Sequence, residues 1–197
     1  GGTPNYLSDT QLVQLMDVLD RHFHVSSDTE ASLEANPKRC SPSQLTLLRG
    51  LGFRILDLQI RDLDSSVQLA IGRSHSLSVL EDVINSARSE GFETISMDLV
   101  YGLPNQSVET VHGTVANMIN LNPDRIICQS FSPRPSVFKH QRALDAEGLP
   151  SLADKVAMFN TASETLMGNG YEWVGLDCFA LQHDALARAK HAGHLHR

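Results

Sequence analysis

Short β-rich runs alternate along this chain with helices of 3.6-residue periodicity, one strand–helix unit about every 25–45 residues. Parallel strands need a long crossover between them, and a helix is the usual one. The β-rich runs are apolar with few turn formers, as expected of strands covered on both faces. Together these features select an α/β chain with a parallel sheet and outer helices. A (β/α) barrel, or part of one, and a doubly wound sheet fit the periodicity equally well. In either fold, functional groups collect at the carboxyl ends of the strands.

The element boundaries follow from caps and breakers. Ser8-Asp9-Thr10-Gln11 predicts a capping box opening a first helix, with Leu12, Leu15, Met16, Leu19 and Phe23 on one face. A strand is expected over 29–34. A second helix is expected from Ser41, with Pro42 in its first turn, Gln44 closing another box, and a stop at Gly50-Leu51-Gly52. Further strands are expected over 53–60, 94–100, 125–131 and 172–177, and helices over 77–90, 107–121 and 151–167. The tail from Leu181 to Arg197 reads as one more helix with a polar end. Five strands are visible, and a sixth is expected ahead of Gly1. Residues 1–180 are read as a partial barrel and 181–197 as the start of a C-terminal region.

Composition narrows the partners. The 197 residues are 41% hydrophobic, enough for one sizeable core. The formal net charge of −7 repels phosphate backbones, so no nucleic-acid partner is expected. No apolar run approaches the roughly 20 residues that span a bilayer. The chain begins without Met and without a signal peptide, so it reads as an excerpt of a cytoplasmic, monomeric protein. Its three cysteines, Cys40, Cys128 and Cys178, are far apart and match neither a zinc site nor a disulfide framework.

Several residues stand at predicted strand ends. Gly1-Gly2-Thr3-Pro4 allows close approach to the main chain, or simply makes a tight turn. Glu34 is suited to accept from an amine or a ribose hydroxyl, or is a solvated loop acid. Asp98 lies in an apolar strand, where a lone charge needs a partner: a ligand or a salt bridge. Arg61, Arg73 and Arg134 are each able to clamp a carboxylate, or to serve as ordinary ion-pair arginines. His191, His194 and His196 do not share the one-face spacing of helical zinc ligands.

In this order, the strand-end segments resemble the radical S-adenosylmethionine (SAM) enzymes that act on porphyrins. The matching segments are Gly1-Gly2-Thr3-Pro4, Glu34-Ala35-Asn36-Pro37, Asp98-Leu99-Val100-Tyr101-Gly102-Leu103-Pro104-Asn105-Gln106, and Asn122-Pro123-Asp124-Arg125. Gly175-Leu176-Asp177-Cys178-Phe179-Ala180 and Leu195-His196-Arg197 resemble the coproporphyrinogen oxidase branch. That resemblance implies a 4Fe–4S cluster that reduces SAM, held by a Cys-x3-Cys-x2-Cys motif expected before Gly1. It also implies a 5′-deoxyadenosyl radical, an electron donor for the cluster, and coproporphyrinogen III as substrate, two propionates becoming vinyl groups. A related branch carries haem or porphyrin without catalysis. By the same resemblance Gly1, Gly2, Thr3, Glu34, Arg73 and Asp98 contact SAM.

The chain departs from the family pattern at strand ends. Where the family reads Gly-Val-Gln-Asp, this chain reads Gln59-Ile60-Arg61-Asp62, which puts Arg61 at a SAM-contacting glutamine position. Its Tyr-Ala-His segment becomes Phe131-Ser132-Pro133, with Ser132 at an alanine position of the cofactor site, and Cys178 replaces a histidine. The resemblance implies two bound SAM molecules, and these changes imply an altered site, the second SAM position above all.

Overall fold

A computed structural model describes residues 2–23, 25–26, 29–138, 141 and 148–195. Within them the order is α1 (Asp9–His22), β1 (Ser32–Ala35), α2 (Pro42–Gly50), β2 (Ile55–Arg61), α3 (Ser65–Ala70), α4 (Leu77–Ser89) and β3 (Thr94–Tyr101). There follow α5 (Val108–Asn120), β4 (Arg125–Ser130), α6 (Leu152–Gly168), β5 (Tyr171–Gly175), β6 (Cys178–Leu181) and α7 (Ala185–His191). The strands lie in the order β1-β2-β3-β4-β6-β5. From β1 to β4, sheet order follows chain order with a helix in every connection, and Ser32 to Ala35 pair in parallel with Ile55 to Leu58. This is the α/β class with outer helices that the periodicity implies.

Two compact units divide the chain: Gly1–Gln59 with Leu77–Ser96, and Ile60–Ser76 with Met97–Arg197. The first contains buried Leu33, Leu45, Leu48, Leu56, Leu58, Leu80 and Ile95. Each leucine so buried contributes about 1.5–3 kcal/mol. The second contains buried Met97, Leu99, Val111, Val115, Met118, Met158, Leu166 and Phe179.

The caps form largely as the sequence implies. Ser8 and Gln11 make a reciprocal box on α1, and Ser107 with Thr110 and Ser151 with Asp154 do the same for α5 and α6. The second expected box is only half formed: Ser41 accepts from the Gln44 amide, but Gln44 is itself buried. The expected apolar face of α1 is also narrower, since Leu12 is buried while Leu15 and Phe23 are exposed.

Three boundary readings need correction. The strand expected over 29–34 is Ser32–Ala35. Helix α3 had no place in the periodicity, because six residues are under two turns; Asp64 caps it by accepting from the Ser66 and Val67 amides. The single last strand expected over 172–177 is a hairpin. Gly175 (φ 148°) and Leu176 (φ 53°) turn the chain back, so β6 runs antiparallel to both β5 and β4. Bonds from Trp173 Nε1 to the Leu176 carbonyl (2.7 Å) and from the Cys128 amide to the Asp177 carbonyl (2.7 Å) hold that turn. The tail helix is α7 alone, packed through Ala187 and Leu186 on Val174 and Ala180.

Candidate functional site

In the first unit, the glycine loop and the end of β1 are tied together by residues the motif reading passed over. Gly1 lies outside the described residues. Gly2 has φ 86°, and a Cβ there would meet nothing within 4 Å, so the conformation, and not a close neighbour, calls for glycine. Pro4–Tyr6 forms a 3-10 turn, and within it Asn5 is buried. Its carboxamide clamps the Asn36 backbone from both sides: Nδ2 donates to the Asn36 carbonyl (3.0 Å), and Oδ1 accepts from the Asn36 amide (3.0 Å). Asn36 Nδ2 also donates to the Tyr6 hydroxyl (3.0 Å), and the Arg39 guanidinium lies 4.4 Å from the Tyr6 ring centre.

This clamp fixes Thr3 relative to Glu34. The Thr3 hydroxyl donates to Gln59 Oε1 (3.2 Å), and Gln59 Nε2 donates to Glu34 Oε2 (3.0 Å). Glu34 is exposed; Thr3 and Gln59 are half-buried. Asn5→Ala is expected to leave the Asn36 amide and carbonyl without these partners and to lower stability by about 1–3 kcal/mol. Urea unfolding of the full-length protein, comparing the midpoint and slope with the parent, measures it.

The second unit holds the other set. Strand β2 leaves the sheet at Arg61, whose φ of 71° is rare for a residue with a side chain. There the Ile60 and Arg61 amides both donate to Asp98 Oδ1, the latter at 3.1 Å. Burial pushes the Asp98 carboxyl above its ordinary pKa. The Arg61 charge, the two amide bonds and the Arg73 charge work against that rise. Arg73 is held by its loop: its amide donates to the Gln68 carbonyl (2.9 Å), while the buried Gln68 carboxamide bonds the His75 amide (2.8 Å) and the Asp62 carbonyl (3.1 Å). Arg61 Nε is buried and makes no hydrogen bond. The structure therefore gathers Arg61, Arg73 and Asp98 into one electrostatic group. Ser132 stands exposed just past β4.

Beside that group lies a polar network with Asp62 at its centre, fully buried. Asp62 accepts from Gln106 Nε2 (2.6 Å), Thr114 Oγ1 (2.8 Å) and the Asp64 amide (2.6 Å). Gln106 also bonds the Val100 carbonyl (2.8 Å) and the Leu103 amide (2.7 Å), so it folds the loop after β3. Lys155 on α6 reaches the Phe131 carbonyl (2.8 Å) by crossing Gly102, where a Cβ would stand 2.5 Å from Lys155 Cε. A lone lysine in an amphipathic helix gives no sequence signal. Asp62 and Gln106 did sit inside recognisable segments, but their role shows only once their partners are in place.

The family profile described as the radical SAM superfamily matches residues 1–117, more than half of the chain. The chain belongs to the radical SAM superfamily. It is 35% identical over its whole length to the oxygen-independent coproporphyrinogen III oxidase of Salmonella typhimurium, covering 43% of that protein. It is 36% identical over 199 aligned residues to the enzyme of that name from Pseudomonas aeruginosa, again covering 43%. The solved structure of coproporphyrinogen III oxidase from Escherichia coli, a radical SAM enzyme, superposes on all of this chain with a TM-score of 0.94 at 34% identity, the chain covering 45% of it. The archaeal Elp3 structure from Methanocaldococcus infernus, at 13% identity and a TM-score of 0.62, shares the fold. The chain thus spans less than half the length of the oxidases it matches.

Membership in the radical SAM superfamily implies SAM and a 4Fe–4S cluster, and the residues present fit the two differently. For SAM, each unit by itself carries groups of a fitting kind: the Glu34 carboxylate and Thr3 hydroxyl in the first, and the Asp98 carboxylate and Arg73 guanidinium in the second, suit its ammonium, ribose and carboxylate groups. The cysteines do not fit a cluster. Burial pushes the Cys40 and Cys128 thiols up to about 12, and the three cysteines stand far apart in the sequence. Among the described residues no group of three or more His, Cys, Asp or Glu is placed to hold a metal, and no helix is long and apolar enough to cross a membrane.

Proposed function

We propose that this chain supplies the SAM-positioning part of an oxygen-independent coproporphyrinogen III oxidase, which converts two propionate side chains to vinyl groups and yields protoporphyrinogen IX. The observation that carries the reading is identity of 34–36% over the entire chain to enzymes of that name. SAM and the cluster supply the one-electron chemistry when bound, and the cluster's cysteines belong outside residues 1–197. The residues of this chain orient the cofactor. Gly1, Gly2 and Thr3 present main-chain and hydroxyl groups, Glu34 and Asp98 accept from cationic or hydroxyl groups, Arg73 faces carboxylate, and Arg61 stands where the family carries a SAM-contacting glutamine. Ser132 takes the position of a cofactor-site alanine in the family pattern. The remaining parts of the proposal are a monomeric cytoplasmic protein, an external electron donor, and a division at residue 180 between the barrel and a following region.

The test is anaerobic turnover of coproporphyrinogen III by the full-length protein with a reconstituted cluster. Accumulation of protoporphyrinogen IX supports the proposal; SAM binding without any decarboxylation favours a second reading, a porphyrin-binding relative without catalysis. Gln59, Arg61, Ser132 and Cys178, which replace the family's Gly, Gln, Ala and His, favour that second reading. Arg61 is the sharpest case, because a fixed cation opposes the SAM sulfonium. Arg61→Gln is expected to raise SAM affinity about two- to tenfold, the range of one ordinary polar contact. An unchanged or lower affinity by equilibrium dialysis means that the arginine is accommodated.

A further inference from the structure

We infer that Gln59 is an internal occupant of the Thr3–Glu34 ligand position, and that a ligand takes Glu34 Oε2 and the Thr3 hydroxyl in competition with its carboxamide. The inference rests on the reading of Glu34 as a SAM-binding residue and adds a residue that this reading does not assign.

The geometry fixes the roles. A carboxylate only accepts, so the side of the amide facing Glu34 must be Nε2, and the 3.0 Å bond agrees. That leaves Oε1 to accept from the Thr3 hydroxyl at 3.2 Å. The one carboxamide therefore bonds both side chains that the resemblance assigns to SAM. It does so from a strand position where the family's pattern carries glycine, which has no side chain to place there.

The occupant is built to be displaced. Glu34 is exposed and Gln59 half-buried, so both groups can exchange their bond for water at modest cost. The amide is neutral, and a cationic donor bonds a carboxylate about twice as strongly. An ammonium group therefore wins the exchange, while a neutral hydroxyl competes on equal terms. Gln59 acts as a threshold, lowering affinity for ligands that take Glu34 Oε2 and penalising neutral ones most.

The test is SAM binding by equilibrium dialysis to the full-length protein and to its Gln59→Gly and Gln59→Ala variants. The alanine variant guards against the loss of strand stability that an interior glycine brings. Both are expected to bind SAM about two- to tenfold more tightly than the parent, the value of one net hydrogen bond. In a Glu34→Ala background the gain from Gln59→Ala should vanish, which a general effect on strand packing would not produce. Unchanged or weaker binding in both Gln59 variants, with SAM still bound by the parent, overturns the inference and leaves the SAM reading standing. Failure of the parent and of all variants to bind SAM overturns both.

Discussion

Asp98→Ala is expected to weaken SAM binding by the full-length protein about tenfold or more, the worth of a hydrogen bond to a charged group. The carboxylate is doubly committed. Its Oδ1 gathers the Ile60 and Arg61 amides, and its charge faces Arg61 and Arg73. Alanine leaves two strand-end amides without this acceptor and two guanidinium groups without this countercharge, at the place where the chain already adopts a φ of 71°. Two effects then add, loss of a ligand contact and loss of the strand-end conformation, and Asp98→Asn separates them. Asparagine keeps an oxygen to accept from the two amides but lacks the negative charge. If the charge acts on SAM, Asn falls nearly as far as Ala; if Asp98 only shapes the end of β2, Asn retains most of the affinity. Affinity unchanged in both variants removes Asp98 from the site and undercuts the SAM assignment.

Much of this was legible in the sequence, for identifiable reasons. Apolar strands separated by capped amphipathic helices leave strong local signals, and β2, β3, β4, α4, α5 and α6 fall within a few residues of expectation. Helix α3 was hidden because its fixing contacts come from the Asp64 cap and from Gln68 binding its own loop, not from an apolar period. The β5–β6 hairpin was hidden because its turn is Gly175-Leu176, and leucine in the left-handed region is a conformation that sequence rarely announces. The site divides in the same way. Motif order identified Thr3, Glu34, Arg61, Arg73 and Asp98 as strand-end residues. The side chains that hold them, Asn5, Gln59, Asp62 and Gln106, work through partners 25 to 56 residues away. No local pattern encodes such a separation.

Asp62→Ala is expected to cost about 1–3 kcal/mol of stability for each buried donor that it leaves unsatisfied. Three donors converge on this fully buried carboxylate, and its removal strands the Gln106 carboxamide, the Thr114 hydroxyl and the Asp64 amide. Gln106 also holds the loop after β3 through Val100 and Leu103, so the damage spreads to that strand end. The pH dependence gives a separate signature. Burial raises the Asp62 carboxyl above its ordinary pKa, the nearby Asp64 charge adds to the rise, and the bonds from Gln106, Asp64 and Thr114 only partly oppose it. A raised folded-state pKa means that the folded protein binds this proton more tightly than the unfolded chain. The resulting stabilisation is complete below the ordinary carboxylate value of about 4 and fades as pH rises through the folded-state pKa. The parent's advantage over Asp62→Ala should therefore widen as pH falls from 7 and level off near pH 4. Urea unfolding midpoints of both proteins across that range measure it. An advantage that shrinks on acidification would mean that the three hydrogen bonds outweigh burial and hold Asp62 ionised.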